Sequence, residues 1–190
     1  LTEREDEADV VVINTCSVRG KAEDKAIGKL RLMGVEKRGR PHLIVGAVGC
    51  MVQRIGRDAL KRIDGLDFAV GTHRLSALPA VIEAIRAGRG PIVDVGEEEA
   101  EPEALAGHLS GQVLAYVNIL LGCDRHCAYC IVPTVRGREW SRPAESVLRE
   151  VRALALDGVR EVTLLGQSVM SYGRANAVYP ETSASGHGFT

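Results

Sequence analysis

Ala8-Asp9-Val10-Val11-Val12-Ile13-Asn14 decides the fold class. A β-branched, apolar run of this length reads as a strand buried in a parallel sheet. The chain after it has helical spacing, with Ala22, Ala26, Leu30 and Met33 on one face, and Gly39-Arg40-Pro41 breaks that pattern. The alternation then repeats. His42–Val48 predicts a second strand, Ile55, Ala59, Leu60 and Ile63 a helix, and Leu66–Val70 a third strand. Leu75, Leu78, Ile82 and Ile85 form the clearest helical stripe, with Gly88 just past its end, and Ile92–Val95 predicts a fourth strand. Repeated βα units predict an α/β fold: an N-terminal open parallel sheet of Rossmann-like kind over residues 1–95, with helices on both faces.

Cys16 lies just beyond the first strand and Cys50 just beyond the second. In a parallel sheet both strand ends open on the same edge, where such folds bind ligands. The two thiols thus converge without a motif linking them. A shared metal site and a pair of inert core thiols are both open readings, since free cysteine is commonly a buried apolar residue.

The acidic run Glu97–Glu103 contains a proline and predicts a solvated linker over residues 96–112. Val113–Leu121 then reads as a strand that runs into Gly122-Cys123-Asp124-Arg125-His126-Cys127-Ala128-Tyr129-Cys130. The C-x3-C-x2-C spacing offers three thiolates to one small metal site. A 4Fe-4S cluster is usually closed by four thiolates. With three, one iron keeps an open position, as a catalytic metal does. Such an iron can chelate a small molecule through amino and carboxylate groups and pass it an electron. Spacing and chemistry together resemble the radical S-adenosylmethionine enzymes. A zinc site on Cys123, His126, Cys127 and Cys130 is the formal rival, although zinc modules gather ligands from two separated pairs. A chance cluster of core cysteines is opposed by the polar Asp124, Arg125 and His126.

Beyond the loop, Ser141-Arg142-Pro143 predicts a helix start, Val147, Val151 and Leu154 its inner face and Gly158 its end. Glu161–Leu165 is the next strand and closes a βαβ unit. Residues 113–190 therefore read as the start of a partial (β/α) barrel, with the cysteine loop on the face where barrels carry chemistry. Gly166 and Gln167, with Ser168, follow the second strand on that face and either touch the cofactor or form an ordinary turn. Arg125, Arg136, Arg138 and Arg142 crowd the same stretch. They read either as receivers of substrate phosphates or as a solvated loop with Glu139 as local partner. Trp140 fits packing and base stacking equally. Gly173–Thr190 is polar and adds no further element, so the chain reads as a fragment with only two barrel strands.

The chain has 190 residues, 45% hydrophobic and 26% charged, a composition for one or two soluble domains. Its apolar runs are too short to span a membrane. The acidic, polar first residues predict no secretory signal and a cytoplasmic location. Five cysteines, clustered and odd in number, point to metal in a reducing compartment and not to disulfides. A net charge of −1 and 4% aromatics give no footprint for nucleic acid.

Several stretches resemble the methylthiotransferases of the radical S-adenosylmethionine superfamily. They are Asn14-Thr15-Cys16-Ser17-Val18-Arg19, Val48-Gly49-Cys50, Gly122–Cys130 with Ile131-Val132-Pro133 and Arg136-Gly137-Arg138, Ser141-Arg142-Pro143 and Leu165-Gly166-Gln167. The resemblance covers about residues 8–173 and is strongest to the branch acting on tRNA. It implies two 4Fe-4S clusters: one on Cys123, Cys127 and Cys130 that cleaves S-adenosylmethionine to a deoxyadenosyl radical, and an auxiliary one on Cys16, Cys50 and a third cysteine upstream of this chain. The implied reaction adds a methylthio group to carbon 2 of N6-isopentenyladenosine next to the anticodon. A sister branch that modifies an aspartate of a small-subunit ribosomal protein, and a non-catalytic iron–sulfur module, are the alternatives. Implied partners are tRNA and an electron donor such as a flavodoxin or ferredoxin, for a monomeric enzyme. With two of three auxiliary ligands, and without the rest of the barrel or the RNA-binding domain that the resemblance implies, the fragment alone is expected to be inactive.

Overall fold

The computed structural model describes residues 2, 4–18, 20–96 and 111–174. Arg19 and nearly all of the acidic linker lie outside these residues, as does the tail after residue 174. The chain divides into two compact units, Leu1–Glu101 with His126–Arg136, and Pro102–Arg125 with Gly137–Thr190.

The first unit is a four-stranded parallel sheet in the order β1-β2-β3-β4, formed by β1 (Val10–Thr15), β2 (Ile44–Gly49), β3 (Phe68–Val70) and β4 (Ile92–Asp94). Between the strands run α1 (Gly20–Glu36), α2 (Cys50–Ile55), α3 (Asp58–Arg62) and α4 (Leu78–Arg86). Alternate residues of each strand face opposite layers. Val45, Ala47 and Ala69 pack with Leu30, Met33, Met51, Val52, Ala59 and Ile63, so α1, α2 and α3 cover one face. Ile44, Val48, Phe68 and Val70 pack with Val81, Ile82 and Ile85 of α4 on the other. The two-sided α/β layering expected from the sequence is therefore present.

Two details differ. Among the described residues only β2 pairs with β1, and Val12 and Asn14 are exposed, whereas the apolar run alone reads as buried. The helix expected to carry Ile55 through Ile63 is two helices, α2 and α3. Gly56 stops the first, its N–H bonded to the Val52 carbonyl.

The first unit also includes the stretch after the cysteine loop, whose short helix α5 (Val132–Arg136) escaped the sequence reading. Val135 is fully buried, and the Thr72 hydroxyl donates to its carbonyl at 2.5 Å.

In the second unit, β5 (Leu114–Asn118) and β8 (Glu161–Leu165) pair in parallel, and α6 (Ala144–Leu156) crosses between them. Leu154, Val147 and Val151 pack on Val117 and Ile119, the inner face expected of that helix. The single strand expected over Val113–Leu121 is split at Ile119. Its last part, β6 (Leu120–Leu121), leaves β8 and pairs antiparallel with β7 (Trp140–Ser141). The parallel ladder ends where β8 ends, so the chain takes the returning segment as its next partner.

Candidate metal centre

Register places the first pair of thiols. Thr15 is paired with Gly49 across β1 and β2, so Cys16 and Cys50 are the next residues beyond one rung of the ladder. The Thr15 hydroxyl is buried and donates to the Val48 carbonyl at 2.7 Å, which pins the two strand ends together. Gly49 adopts φ 100°, and a Cβ there would lie 2.6 Å from both Asn14 Oδ1 and the Thr15 carbonyl oxygen. Only glycine permits this approach. Cys50 opens α2 and is buried, whereas Cys16 is exposed.

A small polar network holds the Cys16 turn to α2. Arg54 pairs with Glu23, Arg54 Nε donates to Ser17 Oγ at 3.4 Å, and Ser17 Oγ donates to Glu23 Oε2 at 3.4 Å. The backbone N–H of Val18 donates to Cys16 Sγ at 3.4 Å. On the other thiol, Arg136 Nε donates to Cys50 Sγ at 3.3 Å. None of these partners was legible in the sequence, since each depends on how the folded turns approach one another.

The second set of thiols lies beyond β6. Gly122 has φ 67°, and a Cβ there would lie 1.9 Å from the Arg138 carbonyl oxygen, so glycine is required just before Cys123. The Cys123 N–H donates to the Gly137 carbonyl at 3.2 Å and its side chain is buried. Cys127 and Cys130 flank a tight turn closed by Cys130 N–H to the Cys127 carbonyl at 2.9 Å. Asp124 Oδ1 accepts the Glu139 N–H at 3.0 Å.

All five cysteines are free thiols, so no ligand is spent in a disulfide. Among the described residues no three His, Cys, Asp or Glu side chains are gathered closely enough in this conformation to hold a metal ion. His126 is exposed and brings no closed zinc set about. The donor chemistry nonetheless fits an iron–sulfur cluster: three unpaired thiols on one short loop and no competing carboxylate between them beyond Asp124, which is engaged by Glu139.

Gly166 and Gln167 follow β8 directly, and Leu165 pairs with Asn118, so they leave the ladder at the same end as the strand that leads to Cys123. A Cβ at Gly166 would lie 3.0 Å from Leu120 Cβ. The arginines separate. Arg138 is highly exposed and 3.6 Å from Asp124 Oδ1. Arg142, read from the sequence as a phosphate receiver or a solvated loop residue, is neither. It is 3% exposed and donates to the Asn118 carbonyl and Ser146 Oγ, and its Nη1 lies 2.6 Å from Glu150 Oε2, off the axis of a good hydrogen bond. Among the described residues Glu139 pairs with no arginine; it is buried and accepts from Ser171 Oγ at 2.7 Å.

Comparison with known proteins assigns the frame. The model described as "Uncharacterized protein family UPF0004" matches residues 1–71, and that of the radical SAM superfamily matches residues 117–181. A tRNA-2-methylthio-N(6)-dimethylallyladenosine synthase of Syntrophus aciditrophicus is 45% identical over 91% of this chain. One of Akkermansia muciniphila is 42% identical over 92% of it. The chain belongs to the radical SAM methylthiotransferase family. Use of S-adenosylmethionine and an iron–sulfur cluster goes with that membership. The chain spans 38% and 42% of the lengths of those two relatives. A solved radical S-adenosylmethionine methyltransferase, TsrM from Kitasatospora setae, shares the fold with a TM-score of 0.58 at 16% identity, over 85% of this chain and 37% of that one. In this methylthiotransferase chain both cysteine sets thus occupy segments matched by the family models.

Proposed function

We infer that this chain forms the cluster-bearing part of a tRNA methylthiotransferase that adds a methylthio group to carbon 2 of N6-isopentenyladenosine beside the anticodon. One observation carries this reading: two separate thiol sets, a C-x3-C-x2-C loop and a pair at register-matched strand ends, lie on one chain. The names of the relatives at 42% and 45% identity support the substrate class. Carbon 2 of adenine bears an unactivated C–H bond, which acid–base chemistry does not break, so cofactors must carry the difficult step.

Cys123, Cys127 and Cys130 would hold one 4Fe-4S cluster, and Cys16 and Cys50 a second, with a third thiolate that the five cysteines of this chain do not provide. Bound with S-adenosylmethionine, such clusters supply one-electron chemistry and sulfur. The protein's share is placement. The Gly122 turn and the bond from Cys123 to Gly137 set where the first thiol stands, and the Thr15–Val48 bond sets the spacing of the other two strand ends. Gly166 and Gln167 are assigned to S-adenosylmethionine. The remaining partners are a flavodoxin or ferredoxin donor and tRNA, for a monomeric cytoplasmic enzyme; among the described residues no helix is long and apolar enough to cross a membrane.

The test is anaerobic cluster reconstitution, followed by electron paramagnetic resonance of the reduced protein with and without S-adenosylmethionine. A signal that S-adenosylmethionine perturbs, and that disappears when Cys123, Cys127 and Cys130 are all changed to alanine, is expected. A protein that binds only zinc, or a cluster indifferent to S-adenosylmethionine, would refute the reading. Turnover by the full-length parent protein on isopentenylated tRNA, against the ribosomal aspartate substrate in parallel, decides the substrate.

A further inference from the structure

We propose that Glu139 is a positioning residue: it sets the turn that carries Gly166 and Gln167 against the turn that carries Cys123, and so fixes where S-adenosylmethionine binds. The proposal rests on the assignment of Gly166 and Gln167 to that cofactor. Glu139 is 8% exposed and stands on the segment that returns from the cysteine loop into β7. Its backbone N–H donates to Asp124 Oδ1 at 3.0 Å, while its side chain accepts from Ser171 Oγ at 2.7 Å. One residue thus reaches both stretches, which are far apart in sequence.

Backbone contacts hold Glu139 to the first stretch. The Gly137 carbonyl accepts from Cys123 N–H at 3.2 Å, and the Arg138 carbonyl packs where a Cβ of Gly122 would stand. Residues 137–139 are therefore set in succession against Cys123, Gly122 and Asp124. The side chain reaches the second stretch through Ser171. Ser171 Oγ also lies 2.7 Å from the Ser168 carbonyl oxygen, and Ser168 follows Gln167 directly. The Ser171 N–H closes the turn on that same carbonyl at 2.8 Å. At the start of the turn, Gly166 passes close against Leu120, which pairs with Ser141 of β7. Beyond its end, the Tyr172 hydroxyl donates to the Arg142 carbonyl and the Gly173 N–H to Ser141 Oγ.

Burying a carboxylate costs stability unless it is hydrogen-bonded. Ser171 is 6% exposed, so water does not compete for the bond to Glu139. An apolar residue at 139 would fill the space, but a hydrogen bond also gives the turn a direction. Binding groups are sensitive to such direction, since a misplacement of about 1 Å costs up to about a hundredfold. Glu139 acts through Ser171 in this scheme and does not itself touch the cofactor.

The experiment uses the full-length parent protein, iron-loaded and kept oxidised so that S-adenosylmethionine binds without being cleaved. Its Kd is read by isothermal titration calorimetry. Glu139→Ala is expected to raise the Kd about tenfold, the effect of one lost buried hydrogen bond. Iron content and far-ultraviolet circular dichroism should be unchanged, which separates placement from a loss of fold. Ser171→Ala is expected to do the same, and the two changes together no more than either alone. Glu139→Gln keeps an acceptor for Ser171 and is expected to restore most of the affinity. A folded, iron-loaded Glu139→Ala protein at the parent Kd overturns the proposal. If Glu139→Ala does not fold, Ser171→Ala at the parent Kd overturns it instead. Fully additive losses refute the link through Ser171, and the proposal with it. A parent protein that loads iron but binds no S-adenosylmethionine, or Gln167→Ala at the parent Kd, overturns the cofactor assignment itself, and the proposal falls with it.

Discussion

Gly49→Ala tests the geometry of the β1 and β2 strand ends that carry Cys16 and Cys50. Gly49 has φ 100° and ψ −161°, a region that only glycine populates freely, and placing an L-residue there costs about 1–3 kcal/mol. The new methyl group would also meet Asn14 Oδ1 and the Thr15 carbonyl oxygen, each at 2.6 Å. The asparagine side chain can swing away. The carbonyl cannot, because Thr15 is held in register with Gly49 and its hydroxyl is bonded to Val48. Overpacking of that kind adds about 1–3 kcal/mol. The expected loss is therefore about 2–6 kcal/mol, a large part of the roughly 5–15 kcal/mol that stabilises an ordinary domain. Gly28 is the control. It lies inside α1, and a methyl group added there would have nothing within 4 Å, so Gly28→Ala should gain about 0.5–1 kcal/mol. Urea unfolding followed by far-ultraviolet circular dichroism measures both, with an unchanged slope showing that the midpoint shift is a stability change. A Gly49→Ala loss below about 1 kcal/mol, or equal shifts in the two variants, would refute the reasoning.

Two further changes probe what holds each unit. Glu150→Ala leaves the buried Arg142 guanidinium without its counter-charge and should cost about 3–5 kcal/mol, whereas Arg142→Met with Glu150→Leu should be close to neutral in the same urea assay. Thr72→Val removes the hydroxyl that holds the Val135 carbonyl and should cost about 1 kcal/mol, seen as faster amide hydrogen exchange over residues 131–136 with the rest of the first unit unchanged.

Local sequence carried the parts of this molecule that repeat. The β-branched run at Val10–Ile13, the Leu75–Ile85 stripe and Gly88 named their elements because strand and helix periods are written in neighbouring residues. The C-x3-C-x2-C spacing of the cysteine loop is likewise written over a few neighbouring positions. The exposure of Val12 and Asn14 was not legible, because it depends on which of the described strands pair with β1 and not on its own residues. The split at Ile119 escaped for a related reason. Ile119 N–H still bonds the Leu165 carbonyl, while its own carbonyl already accepts from Arg142 N–H, so a single residue changes partners without any change in composition.

Arginine shows the same limit at the site itself. Arg136, Arg138 and Arg142 stand within one short stretch and look equivalent in sequence, yet the fold gives them three environments. Arg142 sits beneath the helix it precedes, with Glu150 as its counter-charge, and so holds α6 to the strand carrying Asn118. Arg138 stays in water beside Asp124. Arg136 rides on a helix anchored by Val135 and reaches a buried sulfur. What separates them is desolvation: a guanidinium is costly to bury without a partner, so each buried one marks a group able to accept its hydrogen bond. For Arg142 that group is a carboxylate with a structural task. For Arg136 it is a thiol, a weak acceptor when protonated and a strong one as a thiolate.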